Sequence, residues 1–171
     1  NGTCRHVDLA VSRFGEPRAP KSEQTDEKER STNKKPSGGG SVSVGALAED
    51  KGIPTDLLRD LGCEDDGNRV VIPYHLPDGS RAPRPRYRTA RSAKDGSRWG
   101  GDSEDDIVPY GLDRLDEARK AGYLTLVEGE SDCWTLWHVG EPALGIPGAS
   151  QAGKIRAEDL AGISRIYVVD E

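Results

Sequence analysis

Two short apolar runs that each end in a carboxylate constrain this chain more than any other feature. Tyr123-Leu-Thr-Leu-Val127 leads into Glu128-Gly-Glu-Ser-Asp132, and Arg165-Ile-Tyr-Val-Val169 leads into Asp170. Runs of this length, rich in Val, Leu and Ile, predict strands buried on both faces of a parallel sheet. The chain between them alternates: a helix over 131–139, a strand over 142–146, a Pro/Gly loop, a helix over 156–161 and the strand over 165–169. A further helix over 111–121, with Leu112, Leu115 and Ala118 inward, stops at Gly122 just before the first strand. Parallel strands need crossover connections, and helices of this length supply them, so the fold class is α/β with a βαβαβ unit. Ligands of such sheets bind just outside the carboxyl ends of the strands. Glu128 and Asp170 are therefore expected in one crevice, where clustered acids hold a divalent metal against phosphate.

The chain before this unit divides by composition. Residues 1–15 carry Val7, Leu9, Ala10, Val11 and Phe14, a short helical pattern ending at Gly15. From Glu16 to Ser41 the only aliphatic residue is Ala19, amid charge, Ser/Thr, Pro and the run Gly38-Gly39-Gly40. A segment so poor in apolar surface cannot offset its ordering entropy, which predicts a disordered linker over 16–41. Residues 42–110 read as a small α+β subdomain. Leu47, Ile53, Leu57, Leu58 and Leu61 fall at helical spacing, split into two short helices by Gly52 and Pro54 and stopped by Gly62. Arg69–Tyr74 reads as a strand, Pro77-Asp78-Gly79 as a turn, and the following proline-interrupted stretch as a second strand on an edge.

Charge is distributed unevenly. The formal net charge is -6, yet Arg81, Arg84, Arg86, Arg88, Arg91, Lys94 and Arg98 stand against the single acid Asp95. The acidic cluster Asp102, Glu104, Asp105 and Asp106 follows directly. A polyanion responds to a local basic strip more than to the mean charge. Arg84, Arg86, Arg88 and Arg91 are candidate phosphate contacts, with Tyr87 or Trp99 to stack on a base. The competing reading is a solvated edge strand whose positive charges discourage edge-to-edge pairing. The three cysteines, Cys4, Cys63 and Cys133, form no disulfide framework, which favours a reducing, cytoplasmic setting. No apolar stretch is long enough to span a bilayer, and no signal-peptide pattern opens the chain. The missing initiator Met and abrupt end are expected of a piece of a longer reading frame.

Within the Glu128–Asp132 turn, Gly129 is expected to let the backbone turn sharply and a ligand approach closely. Asp132 falls in the first turn of the next helix, where it suits the helix dipole and reads equally as a capping residue. Gly145-Ile-Pro-Gly148-Ala-Ser-Gln-Ala-Gly153-Lys154 spaces glycines before a lysine, but Ile155 stands where a phosphate loop needs a hydroxyl, so an ATPase loop is rejected. Trp134, Trp137, Cys133 and Leu136 read as the buried face of a helix.

Glu128-Gly-Glu-Ser-Asp132 resembles the EGxxD motif of the TOPRIM domain, shared by DnaG-type primases, type IA and type II topoisomerases and some nucleases. Ala143-Leu-Gly-Ile-Pro-Gly-Ala-Ser150 is similar to the second TOPRIM strand and its small-residue loop. Arg165–Asp170 resembles the strand that ends in the family's DxD motif, whose second Asp would lie at position 172. Upstream, Tyr110-Gly111-Leu112 resembles the YGL segment of DnaG-type primases. Pro85-Arg86-Tyr87-Arg88-Thr89-Ala90 is similar to their KYxNS motif, with Arg86 for Lys and a departure at Arg88-Thr89-Ala90. The likeness covers residues 44–171, with 111–171 as the first part of TOPRIM, and its wording is closest to primases of phage and plasmid replication modules.

The resemblance implies template-directed synthesis of RNA primers from NTPs on single-stranded DNA, alongside a replicative helicase, separate or fused. It implies Mg²⁺ or Mn²⁺ held by Glu128 and Asp170, with Asp132 as a further ligand or an orienting group, and Glu128 alternatively as general acid or base. DnaG-type primases also carry an amino-terminal CHC2 zinc ribbon. Residues 1–15 resemble its trailing helix, which makes Cys4 a candidate Zn²⁺ ligand with the other ligands before residue 1. The alternatives are another TOPRIM enzyme, a metal-dependent nuclease or topoisomerase-like strand-cleaving protein, or a catalytically silent DNA-binding remnant of a mobile element.

Overall fold

The computed structural model describes residues 42–92 and 96–169. The expected zinc-ribbon tail with Cys4, the linker over 16–41, Lys94, and Asp170 lie outside the described residues. Two short helices open the fold, α1 (Val44–Lys51) and α2 (Thr55–Asp60). Ser43 caps α1 by accepting from the Ala46 N–H at 3.1 Å, and Asp65 accepts from the Val44 N–H at 2.8 Å. Both bonds satisfy amides that a helix start leaves without intrahelical partners. Gly52 ends α1 at φ 64°, a left-handed conformation that costs glycine little, and its N–H returns to the carbonyls of Ala48 and Glu49.

An antiparallel sheet follows in the order β1 (Glu64–Asp66), β2 (Arg69–Ile72), β3 (Arg86–Arg88), β4 (Ser97–Trp99). The expected strand at 69–74 and the Pro77-Asp78-Gly79 turn are present, with Ser80 donating to the Asp78 carboxylate from both its N–H and its hydroxyl. Two expectations change. β1 was not visible in the sequence because its residues, Glu64-Asp65-Asp66, are all acidic and exposed. The basic strand β3 is internal, not an edge: β2 pairs with it on one side and β4 on the other. Its prolines, Pro83 and Pro85, precede the paired residues and so remove no ladder bond.

The second sheet is parallel in the order β6-β5-β7, with β5 (Tyr123–Val127) in the middle, β6 (Ala143–Gly145) and β7 (Arg165–Val168) on either side. A 3₁₀ turn (Leu112–Arg114) and α3 (Leu115–Ala121) precede β5, and α4 (Glu130–His138) connects β5 to β6. The α/β class with parallel crossovers is therefore present.

The crossover from β6 to β7 departs from the expectation. No helix forms over 156–161; a 3₁₀ segment spans Ala149–Lys154 and consecutive turns follow. Those turns are tied by Asp159, which accepts from the Arg156 N–H at 3.1 Å and from its guanidinium at 2.9 Å. A side chain that bonds nearby backbone in this way offers the chain an alternative to a helix. β7 also differs from a strand buried on both faces. Its four residues are exposed, Val168 at 67%, because no described element covers its outer side.

Packing joins the two sheets across position 110. One cluster combines Val44, Leu47, Leu58, Val70 and Ile72 of the first part with Val127, Cys133, Trp134 and Trp137 of the second. The other face of the parallel sheet packs Leu124, Leu126 and Leu144 on Leu112, Leu115 and Ala118. Trp134 donates from Nε1 to the Tyr110 hydroxyl at 2.9 Å, which satisfies the polar ends of two buried aromatics. Trp134, Trp137 and Cys133 thus take the core role expected of them. Among the described residues, no helix is long and apolar enough to cross a membrane.

Candidate functional site

Alternation along β3 puts Arg86 and Arg88 on one face of the antiparallel sheet and Tyr87 on the other. The face bearing the two arginines meets the turn between β5 and α4. Lys51, Arg86, Arg88, Ser97, Glu128, Asp132 and Gly148 all border a cleft of about 380 Å³ at the carboxyl end of β5. The two sequence features singled out independently, the basic strand and the carboxylate turn, line one cavity.

The cations of this cleft are differently held. The Arg86 Nε donates to the Ser97 hydroxyl at 2.6 Å, and its guanidinium lies 4.6 Å from the centre of the Trp99 ring. Among the described residues no hydrogen bond engages the terminal nitrogens of Arg86, which leaves that end of the fork to the cleft. Arg88 is 5% exposed, and its Nε is fully buried with no hydrogen-bond partner among the described residues. Burial pushes the Arg88 guanidinium below the ordinary arginine value, and the charge of Glu130 only partly counters that. An unpaired buried guanidinium is costly and stable only if something anionic is near or arrives. Lys51, the last residue of α1, sits 3.6 Å from the Asp132 carboxylate.

The carboxylates also divide. Glu128 is exposed, bordering the cleft at the end of β5. Asp132 lies half-buried in the first turn of α4, where it pairs with Lys51 and does not cap the helix. Glu130 is the one that sequence reasoning missed. It is nine-tenths buried, accepts from the Tyr74 hydroxyl at 2.6 Å and lies 3.8 Å from the Arg86 Nε. Burial first, and then the charge of Glu130, hold the Tyr74 hydroxyl well above the ordinary tyrosine value, so it remains a donor. Its signal in the sequence was faint: a Glu beside a Glu-Gly pair reads as a solvated loop acid. Tyr74 looked like the end of an apolar run, and Lys51 like a helix-terminal charge.

Gly129 has φ -138° and ψ 166°, extended backbone that any residue adopts, so the sharp-turn role expected of it is not what it does. Its lack of a side chain matters for space instead, since a Cβ there would stand 3.2 Å from Asp132 Oδ2.

The remaining candidates are placed elsewhere. Arg91 is engaged by Asp50 and Glu49 of α1, and Arg84 donates to the Gly100 carbonyl at 3.1 Å. The Tyr87 ring is covered by the Arg69 guanidinium at 4.0 Å, on the face away from the cleft. Trp99 packs edge-on against Tyr74 at 5.1 Å. None of these four borders the cleft. Lys154 donates to Asp106 at 2.8 Å, which ties the loop after β6 to the acidic stretch and leaves no phosphate-loop lysine.

Among the described residues no group of three His, Cys, Asp or Glu side chains is arranged to hold a metal ion. Glu128 and Asp132 are oxygen donors of the kind a hard divalent cation takes, and β7, paired directly with β5, is the strand that leads to position 170. The donor types therefore fit Mg²⁺ or Mn²⁺, with two of the three expected carboxylates at the cleft. No known protein-family model matches the chain, and no curated protein or solved structure matches it at a significant level.

Proposed function

We propose that this chain carries the nucleotide site of a DnaG-like primase, in which the parallel sheet is the first part of a TOPRIM domain. The observation that carries the reading is the meeting of Arg86 and Arg88 with Glu128 and Asp132 around one cleft. A nucleotidyl transfer site needs cations for the triphosphate and carboxylates for the metal within the span of one nucleotide. In this reading Arg86 and Arg88 bind phosphate oxygens, Arg86 through the free end of its fork and Arg88 from the wall of the cleft that it lines. Lys51, which also lines the cleft, adds a point charge that Asp132 restrains. Glu128 and Asp132, with Asp170, would hold Mg²⁺ or Mn²⁺, and the bound metal would supply neutralisation of the triphosphate charge. The partners are a single-stranded DNA template, NTPs and a replicative helicase. Tyr87, Arg84 and Arg91 have no part in the cleft in this reading.

The test is primer synthesis on single-stranded DNA with NTPs and Mg²⁺, using the protein of the natural reading frame. Short RNA products are expected from the wild type, and Glu128→Gln is expected to reduce them by about 100-fold or more, the scale for removing a charged group at a reacting centre. Strand cleavage without NTP incorporation would replace the primase reading with a TOPRIM nuclease. Salt-dependent DNA binding with neither activity would leave the silent remnant.

A further inference from the structure

The buried carboxylate of Glu130 has no place among the groups just assigned to phosphate or metal. It lines the cleft beside the arginines: its Oε1 accepts from the Tyr74 hydroxyl at 2.6 Å and lies 3.8 Å from the Arg86 Nε. That separation is an ion pair without a hydrogen bond. The Arg86 Nε donates instead to Ser97 at 2.6 Å, and Arg88, nine-tenths buried, feels the Glu130 charge as the largest influence countering its desolvation. Glu130 is thus a buried carboxylate beside Arg86, engaged by the hydroxyl of a tyrosine on the adjoining subdomain.

We infer that Glu130 is a positioning residue, an internal counter-ion that stands in for ligand phosphate while the cleft is empty. Tyr74 is its restraint. By occupying Oε1, the hydroxyl keeps the carboxylate from closing on Arg86 and so keeps the Arg86 fork turned toward the cleft. The charge of Glu130 then sets how tightly the cleft holds a polyphosphate: strong enough to make the buried arginines tolerable, weak enough to be outcompeted. This rests on the cleft being a polyphosphate site, and it extends that reading by naming the residue that limits affinity. Glu130 touches no ligand in this scheme.

Two isosteric variants shift the balance in opposite directions. Glu130→Gln keeps an oxygen to accept the Tyr74 proton but removes the competing charge. Tyr74→Phe keeps the charge but frees it to pair with Arg86. Inorganic tripolyphosphate, without metal, is the probe, titrated by calorimetry at fixed moderate salt. Glu130→Gln is expected to bind it about 5-fold more tightly and with a steeper salt dependence, and Tyr74→Phe about 5-fold more weakly, modest factors for one charge in a partly screened site. Loss of structure alone would weaken both. A carboxylate serving only as a metal ligand would, without metal, tighten binding in Glu130→Gln through lost repulsion but leave Tyr74→Phe unchanged, and an unchanged Tyr74→Phe overturns the inference. Unchanged or weaker binding by a Glu130→Gln protein with the wild-type circular dichroism spectrum overturns the inference, as does a wild type that does not bind tripolyphosphate. Opposite shifts in the two variants support it even if no primer is made, in which case the primase reading alone falls. In a protein that does make primers, Glu130→Gln is further expected to lower KM for NTP without raising kcat.

Discussion

Replacing Arg88 by Met should stabilise the ligand-free protein and disable its cleft at once. Arg88 is 5% exposed and its Nε is buried without a partner among the described residues. Leaving one such group unsatisfied costs about 1–3 kcal/mol, and more when it is charged. Against this stands the attraction of Glu130, which Arg88→Met forfeits, although Arg86 remains beside that carboxylate. Replacing a buried ion by an apolar side chain of similar length generally ranges from neutral to about 4 kcal/mol stabilising. Met is unbranched and flexible enough to follow the space the arginine stem occupies. The balance is a gain of about 1–2 kcal/mol, read as a higher urea midpoint with an unchanged slope. Tripolyphosphate affinity should fall by about 10- to 100-fold, the value of a charge-assisted hydrogen bond of about 1.5–3 kcal/mol. Arg88→Met with a lower urea midpoint would refute the reasoning, because it would mean that the guanidinium is already compensated in the empty cleft. Unchanged polyphosphate affinity would refute the other half.

Gly111 lies at φ 96°, and a Cβ there would come within 2.7 Å of the Trp137 ring, so Gly111→Ala should destabilise by about 2–4 kcal/mol in urea unfolding; an effect within experimental error would show that the Tyr110-Gly111-Leu112 corner is not held as described. Stability should also decline in alkali. Burial pushes the Cys63 thiol from 9.0 up to about 12, and burial likewise raises Cys133, Tyr74 and Tyr110. The unfolded thiol releases its proton above pH 9.0 while the folded one keeps it, so the contribution of Cys63 is complete below 9.0 and is lost as pH rises toward about 12. The expected loss is about 1.4 kcal/mol per pH unit for each such group, and a urea midpoint that stays constant from about pH 8 to about pH 10.5 would contradict it.

The parallel sheet was legible because its strands announce themselves. Leu124, Leu126 and Val127 are apolar in a run short enough for a strand and closed by a Glu-Gly turn, and they are buried as expected. The basic strand was legible as chemistry but misplaced in topology, since its partner β4 is the polar stretch Ser97-Arg98-Trp99, which carries no apolar alternation. β1 failed for the same reason. The helix expected over 156–161 had the right apolar spacing, yet Asp159 competes for the local backbone amide, and tertiary bonding overrode the pattern. The cleft itself was half legible. Glu128 and Asp132 stood out as acids after a strand, and Arg86 and Arg88 as part of a basic strip. That Arg91 and Arg84 would be spent on Asp50 and on the Gly100 carbonyl, and that Glu130 would point inward to Tyr74, depends on contacts between residues distant in the sequence. No local pattern encodes those contacts.

The charge make-up of the cleft bears on which kind of polyanion it fits. A surface that only tracks a nucleic-acid backbone is best served by cations alone, because each carboxylate nearby repels phosphate. This cleft places Glu128, Glu130 and Asp132 among Lys51, Arg86 and Arg88. Glu130 is accounted for by Tyr74 and Arg86, and Asp132 in part by Lys51. Glu128 is not: exposed at the mouth, it has no cationic partner among the described residues. An uncompensated carboxylate at a phosphate site is useful where it moves a proton or where a divalent cation comes with the phosphate, since the cation reverses the sign of the interaction. A bare DNA-binding remnant would bind its ligand better without that carboxylate, whereas a metal-dependent nucleotidyltransferase would lose its reaction. Glu128→Gln therefore separates the two: DNA binding in the absence of metal should strengthen in the first case, and in the second Mg²⁺ should cease to improve nucleotide binding.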